Sequence, residues 1–135
     1  MRKWVMAAFV LAAPAILAVG AAPQAAEPIK SQVTELMSTP LTGDASREVK
    51  VLNVVQPPGA DSGRHFHYGD QYTTVQEGEI KITVDGDGEH VLKAGQVLHI
   101  PPMTVHRTQN LTDKPARTTE FFIIAKGKPL SQKVE

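Results

Sequence analysis

Three histidines carry the chemistry this sequence advertises. His65 and His67 stand at i and i+2 in Arg64-His65-Phe66-His67-Tyr68, and His106 follows far downstream in Pro101-Pro102-Met103-Thr104-Val105-His106. Successive side chains of a strand point to opposite faces, so an extended backbone projects His65 and His67 from one face and Phe66 from the other. Two imidazoles side by side are half of a metal site, and a third can extend it. The chain has no cysteine. Disulfides and thiolate sites are therefore excluded, and a metal would be held through nitrogen and oxygen.

The surrounding segments read as strands. Val49 to Gln56 is rich in β-branched residues, with apolar side chains on both faces, and Pro57-Pro58-Gly59 stops it. The His65–His67 strand follows, then Gly69-Asp70 as a turn and Tyr72 to Gln76 as the next strand. Ile80 to Val84 alternates cleanly and is joined through Asp85-Gly86-Asp87-Gly88, a hairpin turn of residues that tolerate positive φ, to His90–Leu92. Val97 to Ile100, Val105 to Gln109 and Arg117 to Ala125 complete the set, before a short polar tail over 127–135. Gly78 and Gly95 read as turn residues. Short strands punctuated by Gly and Pro, with no long helical pattern, predict an all-β sandwich or barrel. Ile29, Val33, Leu36 and Met37 have a weak helical spacing. Residues 22–46 are therefore expected to form a tether and an N-terminal arm, either one helical turn or an extended edge segment, with the barrel over 47–126.

The N-terminus reads as a signal peptide. Met1-Arg2-Lys3 is basic, an uncharged run from Trp4 to Val19 follows, and Val19-Gly20-Ala21 offers small side chains for cleavage, with a second possible cut after Ala26. Pro14 and the shortness of the run argue against a membrane span. Cleavage at 21 removes Arg2 and Lys3, leaving 12 basic against 14 acidic residues and a formal charge of −2. A periplasmic or secreted protein follows, with no membrane partner after cleavage. Balanced charge also argues against nucleic acid. Phe121-Phe122 and exposed strand edges make a homodimer an expectation.

Gly59, His65, His67 and Gly78, then Gly95, Pro101, His106 and Asn110, fall in the register of two sequence motifs, and the chain resembles the small single-domain cupins of the conserved-barrel type. The resemblance implies a jelly-roll β-barrel with a divalent metal inside, held by His65, His67 and His106, with Gln71 as the possible fourth ligand. Such a set with open positions suits Fe, Mn, Ni, Cu or Zn. Two positions depart from the pattern: Gln71 stands where the family carries Glu, and Met103 where Gly is usual. An amide neither neutralises the metal's charge nor acts as a base, so it would weaken metal retention while sharpening Lewis acidity.

Other side chains are secondary candidates. Tyr68 and Tyr72 flank the histidines and could serve in acid/base chemistry, though packing is the commoner role of such residues. His99 could support a ligand or be a plain strand histidine, and His90 belongs to the hairpin surface. Arg64 lies beside the ligands, and Arg107 should alternate to the outer face. The functional expectation is a metal-dependent enzyme acting on a small polar organic substrate by dioxygenase, isomerase or lyase chemistry. The alternatives are a non-catalytic metal or small-ligand binding module and a barrel whose metal site is vestigial.

Overall fold

The structure, a computed structural model, describes residues 26–135. The expected leader over 1–21 lies outside them. Ten strands follow in order: β1 (Gln32–Leu41), β2 (Asp44–Gln56), β3 (His65–Phe66), β4 (Gly69–Glu77), β5 (Glu79–Val84), β6 (Gly88–Lys93), β7 (Val97–Ile100), β8 (His106–Gln109), β9 (Ala116–Ala125) and β10 (Gln132–Lys133). They form two five-stranded sheets, β1-β2-β9-β4-β7 and β10-β3-β8-β5-β6, with antiparallel pairing throughout. This is an all-β jelly roll, and its sheets face each other across the interior.

Alternation sets what each strand contributes. In β4, Gly69, Gln71, Thr73 and Val75 are buried while Tyr72 is exposed. In β9, Ala116, Thr118, Phe122 and Ile124 point inward with Glu120 between them in the same register. β5 turns Ile80, Ile82 and Val84 inward. The apolar interior divides in two. One cluster joins Val75, Ile80, Ile82, Val84, Leu92, Ile100 and Ala116; the other joins Leu52, Val54, Phe122 and Ile124, with Leu130 packed against it.

The N-terminal arm is extended and not helical. β1 pairs with β2 along its length, with register shifts between Glu35 and Met37 and between Pro40 and Leu41. The weak helical spacing loses to the thirteen-residue β2 edge, which offers the arm's backbone a full ladder of partners. The tail also joins the fold, for β10 pairs with β3.

Gly69 is the first residue of β4 and not part of a turn. A Cβ there would fall on the Ile123 carbonyl oxygen and within 2.6 Å of Ile124 Cα, so only glycine lets β9 approach this closely. Gly78 does sit at a turn with φ +78°, where a Cβ would lie 2.8 Å from Pro115 O. Asn110 is buried, and its side chain closes the loop before β9. Nδ2 donates to Gln56 O and Lys114 O, both at 2.8 Å, while Oδ1 accepts from the Thr112 N–H and hydroxyl.

Candidate metal centre

β3 lies beside β8 with His65 opposite His106, and His67 follows β3 directly. The ring centroids are 4.3 Å apart for His65 and His106, 5.0 Å for His65 and His67, and 5.2 Å for His67 and His106. One ligand nitrogen from each ring lies within 4.8 Å of the other two. His67 also packs edge-on to Phe122, centroids 4.8 Å apart. The i, i+2 spacing thus does bring His65 and His67 to one face, although regular pairing ends at Phe66.

The backbone selects the tautomer. Each Nδ1 meets a carbonyl oxygen: Gly63 O at 3.0 Å from His65, Leu130 O at 2.6 Å from His67, and Thr104 O at 3.0 Å from His106. A carbonyl can only accept, so each Nδ1 carries the proton and donates it, leaving an unshared pair on each Nε2. Burial holds the His67 and His106 pKa values down at about 4, against the opposing pull of those carbonyl bonds, and lowers His65 in the same sense. Near neutral pH the three rings are uncharged, which is the ligating state.

Three buried acceptors lack a donor. His67 Nε2, His106 Nε2 and Gln71 Oε1 have no hydrogen-bond partner among the described residues. Unpartnered acceptors in a dry interior are costly, and a cation is the ligand that satisfies several of them at once. The Gln71 amide has its nitrogen end occupied: Nε2 donates to Thr73 Oγ1 at 3.0 Å and to Glu120 Oε2 at 3.3 Å. The donor set of imidazoles plus an amide oxygen fits a divalent transition metal.

Glu120 is the site residue that the sequence reading missed. Its carboxyl also accepts from Thr118 Oγ1 at 3.3 Å. Burial pushes its pKa up to about 7, against the lowering effect of the Thr118 and Gln71 bonds. The signal was present in the inward alternation of β9, where an acid occupies a position between Thr118 and Phe122. Leu130 was missed as well. Its carbonyl acts on His67 from a tail that carries no local pattern.

A cavity of about 610 Å³ opens beside the cluster, lined by His65, His67, Gln71 and Glu120 on one side and by Leu52, Val54, Phe122 and Leu130 among its apolar walls. The other candidates stand apart from it. Tyr72 and His99 stack on each other, centroids 4.6 Å apart, on the outer face of their sheet, where His99 Nε2 also meets Asp70 Oδ1 at 2.8 Å. Alternation puts them there, since Gln71 and Ile100 take the inward positions. Tyr68 turns away from His67 and packs on Phe66, with Lys128 over its ring. His90 meets Asp87 beside the hairpin, and Arg64 pairs with Asp85. Arg107 grips Asp61 through two nitrogens on the surface and holds its carboxyl down at about 2.

The fold and the site define a double-sheeted β-barrel with a histidine cluster inside. The cupin domain family matches residues 52–124, and the chain belongs to that family. It is 35% identical over 80 residues to Protein SchB of Streptomyces halstedii, covering 58% of this chain and only 56% of SchB. Among solved structures it is similar to a cupin-like protein of Thermotoga maritima, at 25% identity and a TM-score of 0.61, covering 77% of this chain and 75% of that one. The DMSP lyase DddQ of Ruegeria pomeroyi shares the fold at 15% identity and a TM-score of 0.64, covering 78% of this chain and 52% of that one.

Proposed function

We propose that this protein is an exported, metal-dependent enzyme acting on a small organic molecule, with the metal held by His65, His67, His106 and the amide oxygen of Gln71. The observation that carries the reading is the cluster of His65, His67 and His106: their ligand nitrogens lie within 4.8 Å of one another, and His67 and His106 each carry a buried Nε2 with no partner among the described residues. A bound divalent metal would supply Lewis acidity. The chain's own residues do the rest. The carbonyls of Gly63, Leu130 and Thr104 hold the ring tautomers. Leu52, Val54, Phe122 and Leu130 give the cavity apolar walls, and the Glu120 carboxyl is placed to take or return a proton. Those apolar walls favour a substrate with an apolar body and an oxygen function directed at the cluster. Isomerase, lyase and dioxygenase chemistry each suit such a site, and the solved DMSP lyase is one use of the same fold.

The test is metal content per chain in protein prepared from the periplasmic fraction without chelator or affinity tag, followed by turnover of candidate substrates. Near-stoichiometric metal that is lost in His65→Ala/His67→Ala, together with turnover that His106→Ala abolishes, supports the enzyme. Stoichiometric metal with no turnover across substrate classes makes the protein a metal-binding module. Folded protein that takes up no metal overturns both.

A further inference from the structure

We infer that Glu120 is a positioning residue that turns Gln71 into a metal ligand. The inference rests on the metal reading above and concerns which atom of the amide faces the cluster. A glutamine side chain has an acceptor end and a donor end of nearly the same shape, and hydrogen bonding alone decides between them. Here Nε2 reaches Thr73 Oγ1 at 3.0 Å and Glu120 Oε2 at 3.3 Å. The threonine hydroxyl does not settle the matter, because it can donate as readily as it accepts. The carboxyl of Glu120 does settle it, since both its oxygens stand as acceptors, Oε2 toward the amide N–H and Oε1 toward the Thr118 hydroxyl, so the donor end of the amide faces Glu120. The amide oxygen is thereby aimed away from Glu120 and is left as a buried acceptor with no partner, in the same state as the Nε2 atoms of His67 and His106.

The scaffold makes this arrangement firm. β4 and β9 are paired neighbours, with Thr73 opposite Glu120 and Gln71 opposite Phe122. Gln71, Thr73, Thr118 and Glu120 therefore form a polar patch on the inner face of adjoining strands. Thr118 Oγ1 holds the other carboxyl oxygen of Glu120 at 3.3 Å, which fixes the acid that fixes the amide. Position 71 thus gains a neighbour that sets which end of its amide faces the cluster.

The experiment is a cobalt(II) titration of the chelator-stripped mature chain, read by visible absorption and by affinity. Wild type, Gln71→Ala, Glu120→Ala, Glu120→Gln and the double variant Gln71→Ala/Glu120→Ala are compared, with a thermal melt on each. Glu120→Ala should weaken cobalt binding by about tenfold to a hundredfold, the usual cost of losing a residue that orients a ligand, and should change the absorption band as Gln71→Ala does. The double variant should bind no more weakly than Gln71→Ala alone, because Glu120 has nothing left to orient. Glu120→Gln keeps an acceptor oxygen and should lose less than Glu120→Ala does. Equal losses from Glu120→Ala with and without Gln71 would overturn the proposal, since Glu120 would then act independently of the amide. Affinity unchanged in Glu120→Ala, or lost as fully in Glu120→Gln, would overturn it too. A wild-type chain that binds no cobalt would instead bring down the metal reading beneath it.

Discussion

The two halves of the barrel interior solve opposite problems. Around Ile80, Ile82, Val84, Leu92 and Ile100 the buried side chains join into one apolar cluster with Val75 and Ala116. Around Leu52, Val54 and Phe122 the same alternation admits Gln71 and Glu120, and leaves a cavity of about 610 Å³ that they line with His65 and His67 and where His67 Nε2 and Gln71 Oε1 are buried acceptors without a partner. Stability resides in the packed half and is given up in the open one. Hydrophobic burial in the first half supports polar, incompletely satisfied groups in the second. The strands are shared between the halves. β4 supplies Val75 to one and Gln71 to the other, and β9 supplies Ala116 and Phe122 in the same way.

Substitutions on each side should break this contrast in different currencies. The largest expected effect on stability is Ile82→Ala. The side chain is fully buried, and its loss should cost about 2–5 kcal/mol through transfer and cavity terms. Urea unfolding checks this, and metal affinity measured under native conditions should scarcely move. His65→Ala/His67→Ala should do the reverse. Metal binding should fall below detection, while the chelator-treated variant should unfold at nearly the same urea concentration as chelator-treated wild type. His67 contributes a buried acceptor without a partner there, and its removal relieves that cost. Loss of fold in the histidine variant would mean that the cluster is a structural keystone and would erase the contrast.

Acid and base should separate the halves further, because all the strongly shifted buried groups belong to the cavity side. In metal-free protein His67 and His106 are held down at about 4 from 6.5 by burial, and Glu120 is held up at about 7 from 4.5 for the same reason. The signs oppose. Unfolded imidazoles take protons below about 6.5 while the folded ones refuse them down to about 4, so their contribution is lost as pH falls through that window. Unfolded Glu120 releases its proton near 4.5 while the folded one keeps it to about 7, so its contribution is lost as pH rises. Two or more imidazoles outweigh one carboxyl, and stability should rise from pH 4.5 to a maximum near pH 6.5 and then fall slightly. Glu120→Gln should remove the fall and steepen the rise by one proton, about 1.4 kcal/mol per pH unit. Urea melts across that range, with chelator present, measure both slopes. A flat profile in wild type would show that the interior of the cavity is wetter than its lining implies.

The contrast also explains what was legible in the sequence. Ile80 to Val84 alternates without exception, its hairpin turn is written in Asp85-Gly86-Asp87-Gly88, and the packed half follows from such patterns. The histidines were legible because i, i+2 spacing has one geometric meaning in an extended chain. Gln71 was noticed as a departure, but the acid that accepts a hydrogen bond from it was not. Glu120 meets Gln71 only because β9 comes back to pair with β4 from 49 residues away in sequence. The Leu130 carbonyl on His67 is 63 residues distant and lies in a segment read as a mere tail. Local pattern reports the face a residue occupies and is silent on its partner across the barrel. The arm stayed open between one helical turn and an extended edge segment because its helical spacing over 29–37 is weak, and the otherwise unpaired edge of β2 decides for the second.

A milder change tests the cavity half at a single dihedral. Met103 is the one non-glycine among the described residues with positive φ, at 61°. A side chain in that region costs about 1–2 kcal/mol relative to the ordinary right-handed conformation. The turn that holds it serves the cavity half: its N–H donates to His67 O at 2.9 Å, and the next residue, Thr104, offers the carbonyl that fixes His106. The side chain itself is 53% exposed and contributes little packing. Met103→Gly should therefore relieve strain in the folded state, partly offset by greater freedom in the unfolded chain, for a net gain of about 0.5–1 kcal/mol. For a chain of this size that is a rise of a few degrees in Tm, readable by calorimetry on chelator-treated protein. Metal affinity should hold, because the hydrogen bonds of the turn are made by backbone that glycine reproduces. Higher Tm with weaker metal binding would be the more instructive failure. It would mean that the strained methionine pins the turn that aims His106, and that the cavity half depends on its strain as well as its unpaired acceptors.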